Sequence, residues 1–334
     1  MVIFSQKEGI IALMTQGQFI SFCTADALNS AAEHLKAGSL VAFPTETVYG
    51  LGADATNGEA VARIYETKGR PADHPLIVHL ADMQDISEWA SEIPDYAIDL
   101  ARAFWPGPMT LILPRTELAA DFITGGQETV GLRVPDHTLA LAFLNAFKKI
   151  GGKGVAAPSA NRFGHVSPTT SEAVYQELGE YFGESDVVLD GGPSQVGVES
   201  TIIDCTGSAP RILRPGAITT EMVEEVTGLS IVNRDDVIRV SGALEHHYAP
   251  AAKVVLDEAA LPGDGLIALS SVETPEGVIR LASPINNEDF ARQIYGALRE
   301  ADAQEIERVV VIQPHGADIA IAIRDRLQRA SKGR

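Results

Sequence analysis

Two short runs carry the residue types that a phosphorylated ligand needs. Lys68-Gly69-Arg70-Pro71 sets two fixed cations beside a proline, and Pro158-Ser159-Ala160-Asn161-Arg162 puts a hydroxyl and an amide on a second stiffened turn. Arg offers a forked donor and Lys a point charge, and both suit phosphate oxygens. Together these types suggest a polyphosphate bound with its nucleoside. Arg133 lies inside the apolar run Val130-Gly-Leu-Arg-Val134, and Arg214-Pro215-Gly216 repeats the theme of a cation at a strand end. A buried guanidinium without an anion is too costly. Arg133 must therefore meet either a ligand's anion or a structural carboxylate. Thr45-Glu46-Thr47 follows Pro44 at a strand end, where open α/β sheets bind ligands. The same hydroxyls equally suit the capping of a turn. His79 ends another strand and, taken alone, reads as a satisfied core histidine. Ser200-Thr201 adds two more hydroxyls.

The elements that must hold these residues alternate in kind. Ser39–Phe43 is a short apolar run read as a buried strand. Asn57 caps a helix to about Lys68, on which Val61, Ile64, Tyr65 and Lys68 share one face. Lys68 then ends a buried stripe, an odd place for a lysine unless an anion meets it. Strands are predicted at Pro75–Leu80, Met109–Pro114, Thr129–Val134, Gly154–Ala157, Val187–Asp190, Ser200–Asp204 and Arg211–Leu213, with helices at His137–Lys149 and Ser171–Leu178. Such mixing indicates α/β architecture, a twisted mixed sheet with flanking helices. Periodicity fades from about Val226 to Ala252. It restarts as a small Rossmann-like β/α unit: strands at Lys253–Leu256, Leu266–Ser270 and Val309–Ile312, helices at about Asn287–Leu298 and Ala317–Ser331. The domains expected are an extension over 1–19, a catalytic domain over 20–225, a linker over 226–252 and a C-terminal domain over 253–334.

Composition narrows the class. The chain has 334 residues, 45% of them hydrophobic and 21% charged, as in soluble globular proteins. A formal net charge of -19 argues against a protein that coats nucleic acid, though a local basic pocket remains compatible. Cys23 and Cys205 lie in apolar surroundings and read as free thiols of a reducing compartment. No apolar run approaches a membrane span and the first residues have no signal layout, so a cytoplasmic protein is expected. Gly50-Leu-Gly52-Ala-Asp-Ala55 imitates a dinucleotide fingerprint, but it reads better as a tight strand-to-helix turn. Gly151-Gly-Lys153-Gly is not a Walker A loop, and no His-Glu-x-x-His suggests zinc. His246-His247 reads as polar loop rather than a metal site. No nucleophile elbow surrounds Ser159.

In order, the chain contains Pro44-Thr-Glu-Thr-Val-Tyr-Gly50, Lys68-Gly-Arg-Pro71, Trp105-Pro-Gly-Pro-Met-Thr110, Pro158-Ser-Ala-Asn161, Ser200-Thr201, Arg214-Pro-Gly216 and His247-Tyr-Ala-Pro250. With these seven motifs it resembles the YrdC/Sua5 family, the threonylcarbamoyl-AMP synthases, in its Sua5 branch. The YrdC-like part covers roughly residues 20–225; the linker and tail distinguish Sua5 from the shorter form. His74 departs from the family, which often has Asn there. The extension before about Gln18 has no family counterpart.

The resemblance implies a nucleotidyltransferase. L-threonine, bicarbonate and ATP would give threonylcarbamoyl-adenylate, pyrophosphate and water, for the N6-threonylcarbamoyl modification of adenosine in tRNA. It implies Lys68 and Arg70 as catalytic residues. ATP would be held by Lys68, Arg70, His74, Thr129, Ser159, Asn161, Ser167, Arg214 and Tyr248. L-threonine would be held by Thr47, His79, Arg133, Ala157 and Ser200, with Arg133 on the amino acid's carboxylate. Mg²⁺ would come with ATP, held by phosphate and water with little protein ligation. The linker around Tyr248 would fold over the nucleotide. The partners implied are the three substrates and the downstream tRNA-modifying machinery, with a weak tRNA contact and no membrane. An RNA-binding module without synthase activity is the rival reading, opposed by net acidity and by the absence of aromatic–basic interleaving. Hydrogenase-maturation carbamoyltransferases share YrdC-like domains, but their zinc-finger and acylphosphatase-like segments are not seen here.

Overall fold

The computed structural model describes residues 12–13, 17–20, 24–234, 237–242 and 248–333. The first group of elements is β1 (Ala12–Leu13), β2 (Gln18–Ile20), α1 (Ala25–Lys36), β3 (Val41–Phe43), β4 (Gly50–Asp54), α2 (Gly58–Lys68), β5 (Ile77–His79), α3 (Ile86–Trp89), α4 (Asp95–Phe104), β6 (Met109–Pro114), α5 (Asp121–Thr124), β7 (Thr129–Arg133), α6 (Thr138–Lys149), β8 (Val155–Ala156), α7 (Ser171–Leu178), β9 (Val187–Leu189), β10 (Thr201–Asp204), β11 (Arg211–Arg214) and α8 (Thr220–Thr227). The second is β12 (Lys253–Leu256), β13 (Gly265–Ile267), β14 (Ile279–Ala282), α9 (Asn287–Ala303), β15 (Arg308–Val311) and α10 (Ala320–Ala330). No helix among the described residues is long and apolar enough to cross a membrane.

The first group forms a mixed sheet in the order β1-β2-β9-β3-β4-β8-β5-β7-β6-β10-β11. Side chains of a strand alternate between faces, and the apolar residues follow that rule. Val41 and Phe43 of β3, Val155 of β8, and Val187 and Leu189 of β9 enter one core; Ala42, Ala156 and Val188 enter the other. Helices α2, α4, α7 and α8 cover the second face, while α1 and α6 cover the first. The α1/α6 cover reaches β3, β8 and β9. Beyond β8 the same face carries Ile77 and His79 of β5, opposite Gly131 and Arg133 of β7, then Thr110 and Ile112 of β6. Here the sheet is covered by the connecting segment, with Val240 packed on Ile77, Ile112 and Ile202. A sheet face roofed by a loop instead of a helix leaves room for a cleft.

The helix ends follow the sequence. Asn57 accepts from the backbone N–H of Glu59 and Ala60, and Gly69 closes α2 in the left-handed region at φ 61°. The Gly50–Asp54 segment corrects the expected turn: it is a buried strand between β3 and β8. Its glycines serve close packing, since a Cβ at Gly52 would lie 2.8 Å from Val155 Cγ1 and 3.0 Å from the Val41 carbonyl oxygen. Helix α8 extends the first group's core past the expected linker start, with Val223 buried and Leu229 and Ile231 packed behind it.

The second group is a parallel sheet ordered β12-β15-β13-β14, against which α9 buries Phe290, Ile294 and Leu298. Helix α9 is one turn longer than its periodicity predicted. Val48, Val166 and Val198 of the first group share this second core. Cys205 is buried and free; Cys23, His246 and His247 lie outside the described residues.

Candidate active site

A cleft opens on the loop-covered half of the sheet. Its walls hold two polar clusters. In the first, Arg70 donates to the Pro75 carbonyl at 2.8 Å, and both of its terminal nitrogens lie 3.3 Å from Ser241 Oγ. Arg214 donates to the Ser241 carbonyl at 2.8 Å and to the Ser200 carbonyl at 2.9 and 3.1 Å. Two buried guanidiniums thus converge on one linker serine, and among the described residues Arg70 Nε has no hydrogen-bond partner. Burial, with Arg214 nearby, lowers Arg70 to about 10. Buried cations held by neutral carbonyls and hydroxyls are ready for an anion.

The second cluster lies where β5, β7 and the Pro44–Gly50 turn meet. Thr45 Oγ1 hydrogen-bonds Thr47 Oγ1 at 2.8 Å and donates to the Val48 carbonyl at 2.6 Å, so the Thr45 hydroxyl does shape a turn. His79, opposite Arg133 in register, packs edge-on to Phe43, and among the described residues its Nδ1 has no hydrogen-bond partner. Burial, reinforced by Arg133, pushes its imidazole down to about 3. Arg133 finds the anion its burial demands inside the protein: Glu46 lies 2.6 Å from it, both side chains almost inaccessible. Neither Glu46 oxygen makes a hydrogen bond of good geometry, so the pair is held by charge more than by direction.

Lys68 and Asn161 stand behind the cleft rather than in its wall. The Lys68 ammonium donates to the Ser159 carbonyl at 2.6 Å and to the Asn161 carbonyl. Two carbonyl oxygens meet it where the residue pattern called for an anion. Burial, with Arg70 adding to it, holds that ammonium well below the lysine range. Asn161 Nδ2 donates to the Arg162 and His165 carbonyls, while its buried Oδ1 has no hydrogen-bond partner among the described residues. Together they brace the turn that presents Pro158 and Ser159 to the cleft.

Thr47, His79, Arg133, Ala157, Ser159, Ser200, Arg214, Arg70 and Tyr248 all line the cleft. Gly50 lies among them and adds no side chain to the floor. Thr129 lines an adjoining pocket that shares Ile77 and Ser241 with it. His74, half-buried, packs edge-on to Phe163 at 5.4 Å, and its imidazole is lowered by burial and by Arg70. Ser167 Oγ donates to Glu199 at 2.6 Å. Glu46, Glu199, Ser241 and Gly242 are the site residues that residue reasoning missed. Ser241 and Gly242 sit in a stretch without periodicity, whereas the two acids were visible beside Thr45 and Ser200. Among the described residues no group of three His, Cys, Asp or Glu is arranged to hold a metal.

A family model described as telomere recombination, that of Sua5, YciO and YrdC, matches residues 33–216. A second, described as threonylcarbamoyl-AMP synthase, C-terminal domain, matches residues 218–332. A Pyrococcus abyssi protein named threonylcarbamoyl-AMP synthase is 38% identical over 327 residues, covering 90% of this chain and 93% of its own. A Bacillus subtilis protein of the same name is 38% identical over 328 residues, covering 91% and 92%. Among solved structures, P. abyssi Sua5 complexed with L-threonine matches with a TM-score of 0.83 at 36% identity, over 93% of this chain and 96% of that one.

Proposed function

The chain belongs to the Sua5-type threonylcarbamoyl-AMP synthase family, and from that premise we propose that it condenses L-threonine, bicarbonate and ATP into L-threonylcarbamoyl-adenylate. One observation carries the reading: two polar clusters of different chemistry share one cleft. The Arg70/Arg214/Ser241 cluster takes the triphosphate, which arrives as its Mg²⁺ complex. The Thr47/His79/Arg133 cluster takes threonine. A solved relative complexed with L-threonine supports that half.

The threonine amine and bicarbonate lose water to form the carbamate. A carbamate oxygen then attacks the α-phosphorus in line, and pyrophosphate departs with the bonding pair. A carbamate is a weak nucleophile, so position and charge neutralisation carry the catalysis. Arg70 and Arg214 neutralise the transferring and leaving phosphates. Ser200 accepts from Arg214 at 3.2 Å and hydrogen-bonds Thr110 at 2.8 Å, which fixes the wall between the two substrates. His79, neutral at working pH, offers its free ring nitrogen without adding charge. Arg133, already balanced by Glu46, orients the threonine carboxylate without leaving a bare cation when the site empties. Lys68 and Asn161 act through the Ser159 turn. The enzyme class is nucleotidyltransferase, the setting cytoplasmic, and the product goes to the machinery that modifies tRNA.

Pyrophosphate release tests this. With Mg²⁺-ATP it should require both threonine and bicarbonate; release that persists without threonine rejects the reaction.

A further inference from the structure

We propose that Tyr295 and Arg326, both from the C-terminal unit, are positioning residues for the triphosphate half of the cleft and act through Glu199. The proposal rests on the ATP reading given above. Glu199 lines the cleft, yet both carboxylate oxygens are occupied. Its Oε1 accepts from Ser167 at 2.6 Å, while Oε2 accepts from the Tyr295 hydroxyl and from Arg326 Nε, each at 2.8 Å. Arg326 is 1% exposed and also donates to the Pro215 carbonyl at 3.0 Å, next to Arg214 in the chain. The Tyr248 ring stacks on Tyr295 at 5.8 Å, and the Arg326 guanidinium lies over it at 5.4 Å.

Charge explains why this wiring matters. Burial would raise the Glu199 carboxyl, but Arg326 and Arg214, with Ser167, outweigh it and hold it at about 2. An ionised carboxylate therefore stands in the wall of a site meant for a polyanion. Arg326 offsets that charge from behind and leaves Arg214 bonded to Ser200 and Ser241, facing the cleft. Without Arg326 the carboxylate would oppose the phosphates and draw Arg214 to itself, because a buried charge stripped of its partner seeks another. The two units also approach closely at the backbone. Gly197, at φ +82°, lies where any Cβ would fall 2.3 Å from the Ala291 carbonyl oxygen, one helical turn before Tyr295.

The test separates KM for ATP from KM for threonine in the full-length protein, alongside calorimetric binding of a non-hydrolysable ATP analogue. Three variants serve: Tyr295→Phe, which keeps the ring stack and removes one hydroxyl; Arg326→Met; and Arg326→Met combined with Glu199→Gln. Arg326→Met should weaken ATP and analogue binding about tenfold or more, and Tyr295→Phe about threefold, with KM for threonine within about twofold, as expected for a site-specific coupling. Adding Glu199→Gln should restore analogue binding to within about threefold of wild type, since the uncompensated charge is gone. A purely structural role would shift both KM values together and would not be rescued. That pattern, or normal ATP binding by folded Tyr295→Phe should Arg326→Met fail to fold, overturns the proposal. If the wild type binds the analogue but makes no adenylate, the reaction is rejected while the binding ratios still decide the coupling.

Discussion

Arg133 lines the cleft and lies 2.6 Å from Glu46, and each is costly without the other. Arg133→Met should cost about 3–5 kcal/mol of stability because it strands a buried carboxylate. Adding Glu46→Gln should recover most of the melting temperature but not the threonine turnover. If turnover returned as well, Arg133 would have no part in binding threonine. His79 supplies a pH prediction. Its buried imidazole titrates at about 3 against 6.5 when free, so the unfolded chain takes up the proton first. The stability it confers is complete above about pH 6.5 and is lost as pH falls toward its folded value. At pH 5 the wild type should have lost about 2 kcal/mol relative to His79→Gln, over and above titrations common to both. Equal slopes of melting temperature between pH 7 and 5 would show His79 to be hydrated. Arg133 was legible as a buried cation in need of an anion because its type jars with an apolar strand, whereas His79 by itself read as a core histidine and entered the threonine set only through the family resemblance. Glu46 was in plain view, but only β7 folding beside the Thr45 turn makes it Arg133's partner.

Helix α2 stands behind the cleft, and strand β4 reaches it at Gly50. Helix α2 was readable to about Lys68, since Asn57 marks its start and an apolar stripe its buried face. Lys68 ends that stripe and holds the Ser159 turn through two carbonyls. Lys68→Met should therefore lower turnover at least about tenfold by loosening the turn, with a stability loss of about 1–3 kcal/mol. A near-normal kcat would show that the turn holds without it. Strand β4 was misread as a strand-to-helix turn because its two glycines read as turn residues. Their purpose appears only when Val155 and Phe43 close in from neighbouring strands. Gly52→Ala should cost about 1–3 kcal/mol through overpacking, read as a fall in melting temperature. An unchanged value would mean that β8 shifts freely.

At the scale of the molecule, two sheets share a buried seam. Val48, Val166 and Val198 from one side join the other unit's core, and Arg299 adds a 3.0 Å pair to Glu177. Burying apolar surface and charge together couples the units. Calorimetry of the full chain should give one unfolding transition, with the calorimetric and van't Hoff enthalpies equal. Two resolved transitions would show the seam to be weak.

The sequence by itself determined the α/β class, most strand and helix positions, and the presence of cations that burial obliges to find partners. Each of these follows from local periodicity, capping and the cost of burying charge. Tertiary structure alone decided which cations face the cleft and which brace it. Lys68 was turned onto backbone carbonyls, Arg133 was matched with Glu46, and Glu199 was tied to Tyr295 and Arg326 across 96 and 127 positions of chain. Those pairings depend on sheet order and on the docking of a second unit. Local propensity carries no information about partners so distant in sequence.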